Sequence, residues 1–283
     1  MYKRTVFITI VLCLMFQLGC NLGPTPYFAP PLVIENVYDH IVSIAVYYYM
    51  PESEWQRRQF EYGPEQRINV EDATDQDGQP VKCIAYIGSG TILKDNHIIT
   101  VRHLFDHEEN TYSRKIWVFH QRVDHPIEAD LIAITKNKEE EDYFNDYAVI
   151  KMRENLGHPG VTIAEHDVLL GEKVMFGCSV GGAAYFLRFA YASHFKWFFR
   201  KDEDGRLHLT TWVNYQFTTV HPSGPGDSGS GIFNIGGQLV GVAYIGVNIY
   251  EQMYCFSNPV EMIWTFLDEH HLKYLGYSQR FSQ

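Results

Sequence analysis

The chain has 283 residues, of which 46% are hydrophobic, 15% aromatic and 20% charged. This composition excludes a disordered or collagen-like chain. The length allows one large domain or two small ones with a substantial buried core. The formal net charge is −11 and the sequence contains no basic stripe, so we expect no nucleic-acid partner.

The N-terminal segment has the pattern of an export signal. Lys3 and Arg4 precede an apolar run over residues 5–16, which is shorter than the roughly 20 residues of a membrane-spanning helix. The run ends in Gln17-Leu18-Gly19-Cys20. This ending resembles the bacterial lipobox, in which the cysteine is lipidated and becomes the new N-terminus, although Gln17 stands where that motif usually has Leu.

We therefore predict that residues 1–19 are removed, that Cys20 carries a lipid, and that residues 20–34 form a short tether. The predicted location is the bacterial cell envelope, with the protein held to a membrane by this anchor. Cleavage without lipidation and retention of the segment in the core are the two alternatives.

Three cysteines remain once the signal, with Cys13 and Cys20, is set aside: Cys83, Cys178 and Cys255. An odd number leaves at least one thiol unpaired within the chain, and the sequence leaves open whether the other two pair. Cys178 lies in an apolar run, which favours a small core residue over a nucleophile.

The rest of the chain predicts an all-β fold closed by one helix. Pro259 suits a first helical turn, and Val260, Ile263, Trp264, Leu267 and His271 follow with helical spacing. The polar stretches 51–80 and 136–145 are predicted loops. Runs rich in β-branched and aromatic residues predict the strands, at Ile41–Tyr49, Ile84–Leu93, Ile98–Val101, Ile116–Phe119, Glu128–Thr135, Ala148–Met152, Val161–Ile163, Lys173–Cys178, Phe186–Ala192, Leu207–Trp212, Tyr215–Val220, Gly231–Asn234, Leu239–Val247 and Gln252–Phe256.

Three short segments carry residues suited to nucleophilic catalysis. Ser228 lies in the glycine-rich run 223–231, where glycines permit a tight bend and a close approach of backbone N–H groups to a substrate. His103 follows an apolar strand, and Asp146 stands where a polar loop enters another. Taken singly, these residues also fit a surface turn, a structural histidine and a turn acid. Taken together, they supply a weak nucleophile, a base and an orienting carboxylate in the order His, Asp, Ser.

These segments resemble the trypsin-like serine peptidases, and most closely the bacterial HtrA/Deg-type branch. The similarity includes Gly-Ser-Gly-Thr-Ile-Leu at 88–93, Ile-Ile-Thr-Val-Arg-His at 98–103, Asp-Tyr-Ala-Val-Ile at 146–150 and Gly-Asp-Ser-Gly-Ser at 226–230. The similarity extends to about residues 35–272. It includes residues 170–181, which resemble the strand that opens the second barrel, residues 237–242, which resemble the hairpin after the nucleophile, and the C-terminal helix. The resemblance implies two six-stranded antiparallel β-barrels and a C-terminal α-helix in one protease domain at 35–283, with the second barrel starting near 165–172.

The resemblance also implies roles for the individual residues. Ser228 would be the nucleophile, His103 the general base and then acid, and Asp146 the residue that holds the imidazole tautomer. The N–H groups of Gly226 and Ser228 would form the oxyanion hole. The family needs no cofactor, and polypeptides are the implied substrates.

The sequence departs from the family pattern in several places. Ser230 stands where many relatives have Gly, Arg102 precedes His103 where Ala is common, and Leu104 replaces the Cys of the digestive enzymes. The residues after the helix are too few for the PDZ domain of Deg-type proteases, so we expect the protease module alone. The 51–80 stretch falls where those proteases have a regulatory loop, which suggests a regulatory role for it as a hypothesis.

Specificity is indicated by the position six residues before Ser228. An acid there selects Lys or Arg in trypsin-like enzymes, but this chain has Pro222. We expect a neutral or apolar P1 residue, with an acidic one as the alternative because of Thr219 and His221. Ala243, Tyr244, Ile245 and Gly246 are the predicted pocket wall, whose backbone would pair with an extended substrate.

The sequence thus predicts a lipid-anchored serine endopeptidase. A catalytically inactive binding or adhesion lipoprotein on the same fold, and an esterase with the same triad, are the rival hypotheses. His103 and His107 have the spacing of helical metal ligands, but no His-Glu-x-x-His motif accompanies them, and we expect no metal site. The sequence does not indicate the oligomeric state.

Overall fold

A computed structural model shows that β-strands make up most of the part of the chain that it describes. It describes residues 29–51, 53, 70–74, 80–105, 113–136, 146–169, 171–180, 184–195, 198–201, 207–210, 214–218, 226–249, 252–257 and 260–277. The elements in chain order are α1 Pro31–Tyr38, β1 Ile41–Pro51, β2 Val70–Thr74, β3 Pro80–Ile92, β4 His97–Thr100, β5 Ser113–Phe119, β6 Ile127–Ile134, β7 Ala148–Met152, β8 Lys173–Val180, β9 Ala184–Phe195, β10 Phe198–Lys201, β11 Leu207–Thr210, β12 Asn214–Thr218, β13 Gly231–Asn234, β14 Leu239–Ile249, β15 Gln252–Ser257 and α2 Val260–Glu269. Single 3₁₀ turns cover Lys94–Asn96, Arg102–Leu104 and Lys273–Gly276.

Both halves of the chain fold into antiparallel barrels. In the first, the strand order is β1-β5-β6-β7-β4-β3-β2, and an additional pairing of β1 with β3 closes six of these strands into a ring. In the second, the closed order is β12-β15-β14-β13-β8-β9. A closed barrel leaves no open sheet edge, so each of the six strands in a ring pairs with a neighbour on both sides. Strand β2 pairs with β3 outside the first ring, and β10 and β11 pair with each other in a separate two-stranded sheet. The predicted all-β double barrel is confirmed.

The two barrels pack on each other through small residues. A Cβ placed on Gly177 of β8 would lie 2.7 Å from the side chain of Ile41 in β1. A Cβ on Gly231 of β13 would lie 2.2 Å from the hydroxyl of Thr91 in β3. Glycine at these two positions therefore allows the strands to approach closely, and this contact brings the ends of β3 and β4 next to the start of β13.

Helix α2 covers the segment that carries Asp146. Its buried face consists of Val260, Ile263, Phe266 and Leu267. Phe266 was not predicted on this face, the predicted Trp264 is only half-buried, and His271 lies beyond the helix, which ends at Glu269. The ring of Phe266 stacks on Tyr147 at a centroid distance of 5.5 Å. The first-turn N–H of Val260 donates to Asp167 Oδ1 at 2.6 Å, so the connection between the barrels caps this helix.

Several elements differ from the predictions. Strand β2 lies within the stretch 51–80 that we predicted to be a loop, because residues 70–74 pair with the first half of β3. Strand β10 and helix α1 were not predicted, and α1 begins inside the predicted tether. The predicted strand Val161–Ile163 is wrong. Its backbone N–H groups donate to two different partners, Ile92 and Gly276, and only a single bridge to Leu239 forms.

Three histidine rings pack together at the connection between the barrels. His40 precedes β1, His120 follows β5, and His158 belongs to the segment between β7 and β8. The His158 ring lies 5.2 Å from the centroid of each of the other two. Burial lowers the pKa of all three, and burial together with the neighbouring rings and Arg122 lowers that of His158 to about 4. The rings therefore pack as neutral groups.

The predicted membrane anchor and the cysteines differ in how far the described residues include them. Cys20, residues 1–19 and most of the tether lie outside the described residues. Among the residues that are described, no helix has the length and apolar character to cross a bilayer. Cys83 and Cys178 are buried, and neither forms a disulfide within the described residues.

Candidate active site

His103 and Asp146 meet through two hydrogen bonds. The backbone N–H of His103 donates to Asp146 Oδ1 at 2.9 Å, and the ring Nδ1 lies 2.6 Å from Asp146 Oδ2. A carboxylate can only accept, so in the neutral imidazole Nδ1 carries the proton and Nε2 keeps a lone pair. The Asp146 side chain is 8% exposed, whereas that of His103 is 40% exposed. The imidazole is thus fixed at Nδ1 by a buried carboxylate, while the ring remains partly exposed to solvent.

Asp146 is held in place by the residue that follows it. The backbone N–H of Tyr147 donates to Thr135 Oγ1 at 3.2 Å, and the Tyr147 carbonyl accepts from both the N–H and the hydroxyl of Thr135. The Tyr147 ring is buried against Phe266. These contacts fix the backbone immediately before β7.

His103 lies on the 3₁₀ turn Arg102–Leu104 that follows β4. The buried Tyr48 hydroxyl of β1 donates to the carbonyl of Leu104 at 2.9 Å. The N–H of Phe105 donates to the carbonyl of Arg102 at 2.7 Å. The turn is therefore anchored on both sides of the imidazole, by its own backbone and by a neighbouring strand.

Ser228 lies on a tight turn that precedes β13. Gly226 and Gly229 have φ values of 103° and 88°, a region that favours glycine. The N–H of Gly229 donates to the carbonyl of Ala243 at 2.8 Å, and the N–H of Ser230 donates to the carbonyl of Asp227 at 3.1 Å. The serine is partly exposed while its neighbours on both sides are buried.

The turn is also tied to the first barrel. The N–H of Ser89 in β3 donates to the carbonyl of Ser228 at 2.7 Å. A Cβ placed on the adjacent Gly88 would lie 2.4 Å from Leu104 and 3.0 Å from the carbonyl oxygen of Ser228. The residue after His103 and the backbone of Ser228 therefore converge on the same point of β3.

A buried ion pair lies next to Ser228 and was not anticipated from the sequence. Arg188 Nη1 of β9 lies 3.6 Å from Asp227 Oδ2, and the two side chains are 16% and 5% exposed. Burial raises the pKa of the neighbouring Cys178 thiol to about 12, and the Asp227 carboxylate contributes to the rise. Cys178 therefore stays protonated, which agrees with the expected core role. An acid beside an apolar strand was the only sequence signal for this pair.

The predicted pocket residues are described only in part. Ala243 and Tyr244 are buried in β14, and the backbone of Ile245 and Gly246 continues that strand beside β15. Both backbone groups of Ala243 bond to the Ser228 turn, since its N–H donates to the carbonyl of Ser230. Pro222 lies outside the described residues, as do Thr219, His221 and His107. No group of three or more His, Cys, Asp or Glu within the described ranges is arranged to hold a metal ion.

Comparison with known proteins identifies the family. Residues 88–242 match the family described as the trypsin-like peptidase domain, and this range includes His103, Asp146 and Ser228. No curated protein matches the chain.

Solved structures share the fold. The active form of the Rv3671c protease from M. tuberculosis aligns with 91% of this chain and 94% of its own, with a TM-score of 0.55 and 17% sequence identity. A serine-to-alanine mutant of Rv3671c in its inactive form aligns with 88% of this chain and 96% of its own. An inactive form of the protease aligns with 87% of this chain and 96% of its own. Both have a TM-score of 0.55 and 16% identity.

The family match spans more than half of the sequence, and the double barrel agrees with it. The predicted resemblance and enzyme class are thereby confirmed: the chain belongs to the trypsin-like peptidase domain family and is a serine hydrolase.

Proposed function

We propose that the protein is a serine endopeptidase in which Ser228 attacks the peptide bond, His103 is the general base and Asp146 orients His103. The observation that carries this proposal is the double hydrogen bond from His103 to the buried Asp146. It fixes the tautomer in which Nε2 can take a proton, which is the requirement for activating a hydroxyl.

The reaction follows from these roles. Ser228 Oγ gives its proton to His103 Nε2 and bonds to the substrate carbonyl carbon, whose oxygen becomes negatively charged. The N–H groups of Gly226 and Ser228 would stabilise this oxyanion. The imidazolium then protonates the amine as the C–N bond breaks and an acyl-enzyme forms. Water, deprotonated by His103, hydrolyses the ester and restores Ser228.

A fluorophosphonate probe tests this function without knowledge of the substrate, because it reacts with activated serines. We expect the folded protein to be labelled, and labelling to be lost in Ser228→Ala. Ser230→Ala is the matched control, since this buried serine lies two residues away and its hydroxyl has no hydrogen-bond partner among the described residues. Absence of labelling in the folded wild-type protein would favour an inactive binding lipoprotein. Hydrolysis of esters but not peptides would favour an esterase.

We further propose a neutral or apolar P1 preference, because Pro222 stands where an acid would select Lys or Arg. The buried Ala243 and Tyr244 support an apolar pocket wall. A peptide library varied at P1 should show the fastest cleavage after uncharged residues. Preferred cleavage after Lys or Arg would refute this specificity, and preferred cleavage after Asp or Glu would support the acidic alternative.

We also propose that the protein is anchored to a bacterial envelope membrane through a lipid on Cys20. The support is the sequence pattern of residues 1–20 alone. Cells fed a labelled fatty acid should incorporate it into the wild-type protein and not into Cys20→Ser, with Cys83→Ser as the control for a buried thiol. Equal incorporation into Cys20→Ser would rule out this anchor.

A further inference from the structure

The hydrogen bonds of Ser89 in β3 reach three separate segments of the chain. Its N–H donates to the carbonyl of Ser228 at 2.7 Å, and its hydroxyl donates to the carbonyl of Gly226 at 2.6 Å. The same hydroxyl accepts from the N–H of Ser179 in β8 at 2.8 Å, and the Ser89 carbonyl accepts from Thr100 Oγ1 at 2.7 Å. Ser89 thus connects the strand before His103, the second barrel and the Ser228 turn.

The serine directly opposite shows that this use of the hydroxyl is specific to Ser89. Ser43 of β1 is the cross-strand partner of Ser89, and both residues are fully buried. The Ser43 hydroxyl has no hydrogen-bond partner among the described residues. The Ser89 hydroxyl, in contrast, both donates and accepts. Its 2.6 Å contact with Gly226 is much shorter than the 3.4 Å alternative to the carbonyl of Ser179.

The Gly226 carbonyl determines the orientation of the middle peptide of the turn. This carbonyl belongs to the planar peptide between residues 226 and 227. The N–H groups of Gly226 and Ser228 belong to the peptides on either side of it. Gly226 has a φ of 103°, and glycine readily adopts other backbone conformations, so the local chain does not hold this peptide by itself. A hydrogen bond from a buried hydroxyl on another barrel supplies the missing restraint.

We propose that Ser89 is a positioning residue for oxyanion binding, which acts by holding the carbonyls of Gly226 and Ser228 so that the N–H groups of this turn point towards the substrate. The inference rests on the function proposed above. Ser89 does not touch the substrate, and its effect is exerted through the peptide planes of the turn. Since about 1 Å of misplacement can cost about 100-fold in rate, the loss of this one hydroxyl should be visible in the chemical step.

The test compares Ser89→Ala with Ser43→Ala, which removes a buried hydroxyl from the opposite position of the same strand pair. We expect Ser89→Ala to lower the second-order rate constant of fluorophosphonate labelling about 10- to 100-fold, and Ser43→Ala to stay close to wild type. The pH midpoint of labelling should not move, because the contact between His103 and Asp146 is untouched. With a peptide substrate, Ser89→Ala should lower kcat and leave KM nearly unchanged.

The outcomes separate this inference from the proposed function. If Ser89→Ala is labelled at the wild-type rate while Ser228→Ala is not labelled, the positioning role is overturned and the peptidase proposal stands. If the folded wild-type protein is not labelled, both are overturned. Should Ser89→Ala fail to fold, Ser89→Cys replaces the hydroxyl by a weaker donor of similar size. A wild-type labelling rate in that variant would also overturn the role.

Discussion

Replacing Asp146 by asparagine should lower kcat about 10,000-fold at neutral pH. The two oxygens of Asp146 accept from two donors, the backbone N–H and the ring Nδ1 of His103. An asparagine has only one oxygen, and the backbone N–H of His103 can only donate, so the side-chain NH₂ must face the ring. Nδ1 then has to accept, the proton moves to Nε2, and His103 can no longer take the proton of Ser228.

The measurement is the hydrolysis of the best peptide from the P1 library, with kcat and KM determined separately. We expect KM to change little, because the substrate does not contact residue 146 in this mechanism. Asp130→Asn is the control, since this exposed carboxylate pairs with Arg153 on the surface of the first barrel. An Asp146→Asn variant that keeps a tenth of the wild-type kcat would contradict the proposed role of Asp146.

Replacing Gly229 by alanine should have the largest effect on stability. Gly229 has a φ of 88°, and a Cβ at this position would lie 2.0 Å from the carbonyl oxygen of Ser89 and 2.3 Å from Thr100 Oγ1. The left-handed backbone costs about 1–2 kcal/mol for alanine, and overpacking adds about 1–3 kcal/mol. We expect a decrease of about 2–5 kcal/mol in the free energy of unfolding. Labelling should be lost, because the turn must move away from Ser89.

The Gly171→Ala variant separates the cost of a left-handed backbone from the cost of overpacking. Gly171 has a φ of 82°, but a Cβ there would meet nothing within 4 Å. Its cost should therefore be the backbone contribution alone, about 1–2 kcal/mol. Urea unfolding of both variants in the Ser228→Ala background, which prevents self-cleavage, gives the comparison. Equal destabilisation at the two positions would show that the contact with Ser89 is not close.

The sequence predicts best those strands that are buried, because their burial requires a run of apolar residues that can be recognised in the sequence. Strand β7 was predicted with its observed bounds, Ala148–Met152, and β13 likewise, because both are short apolar runs bounded by polar or turn residues. Strand β2 has no such pattern, since Val-Glu-Asp-Ala-Thr forms a strand by pairing its backbone with β3. Pairing of this kind depends on the position of a partner strand and leaves little trace in the residues themselves.

In the candidate active site, too, the sequence indicates some of the important residues and not others. The sequence indicated His103, Asp146 and Ser228 because nucleophilic catalysis requires particular residue types. It did not indicate Ser89 or Arg188, whose importance lies in what they contact. A serine in a Gly-Ser-Gly run looks the same whether its hydroxyl binds another barrel or nothing, as the pairing with Ser43 shows. The partner of Asp227 lies on β9, 39 positions earlier in the chain, and only the closed barrel brings the two together.

The three packed histidines have a consequence for behaviour in acid. Their pKa values are lowered in the folded state, that of His158 from 6.5 to about 4, so the unfolded chain binds more protons between these values. The stability linked to the neutral His158 ring is complete above pH 6.5 and is lost as the pH falls towards 4, and the lowered pKa values of His40 and His120 act in the same direction. In an acidifying environment, proton uptake by these rings would therefore weaken the packing at the connection between the barrels, although the rings take no part in the proposed chemistry.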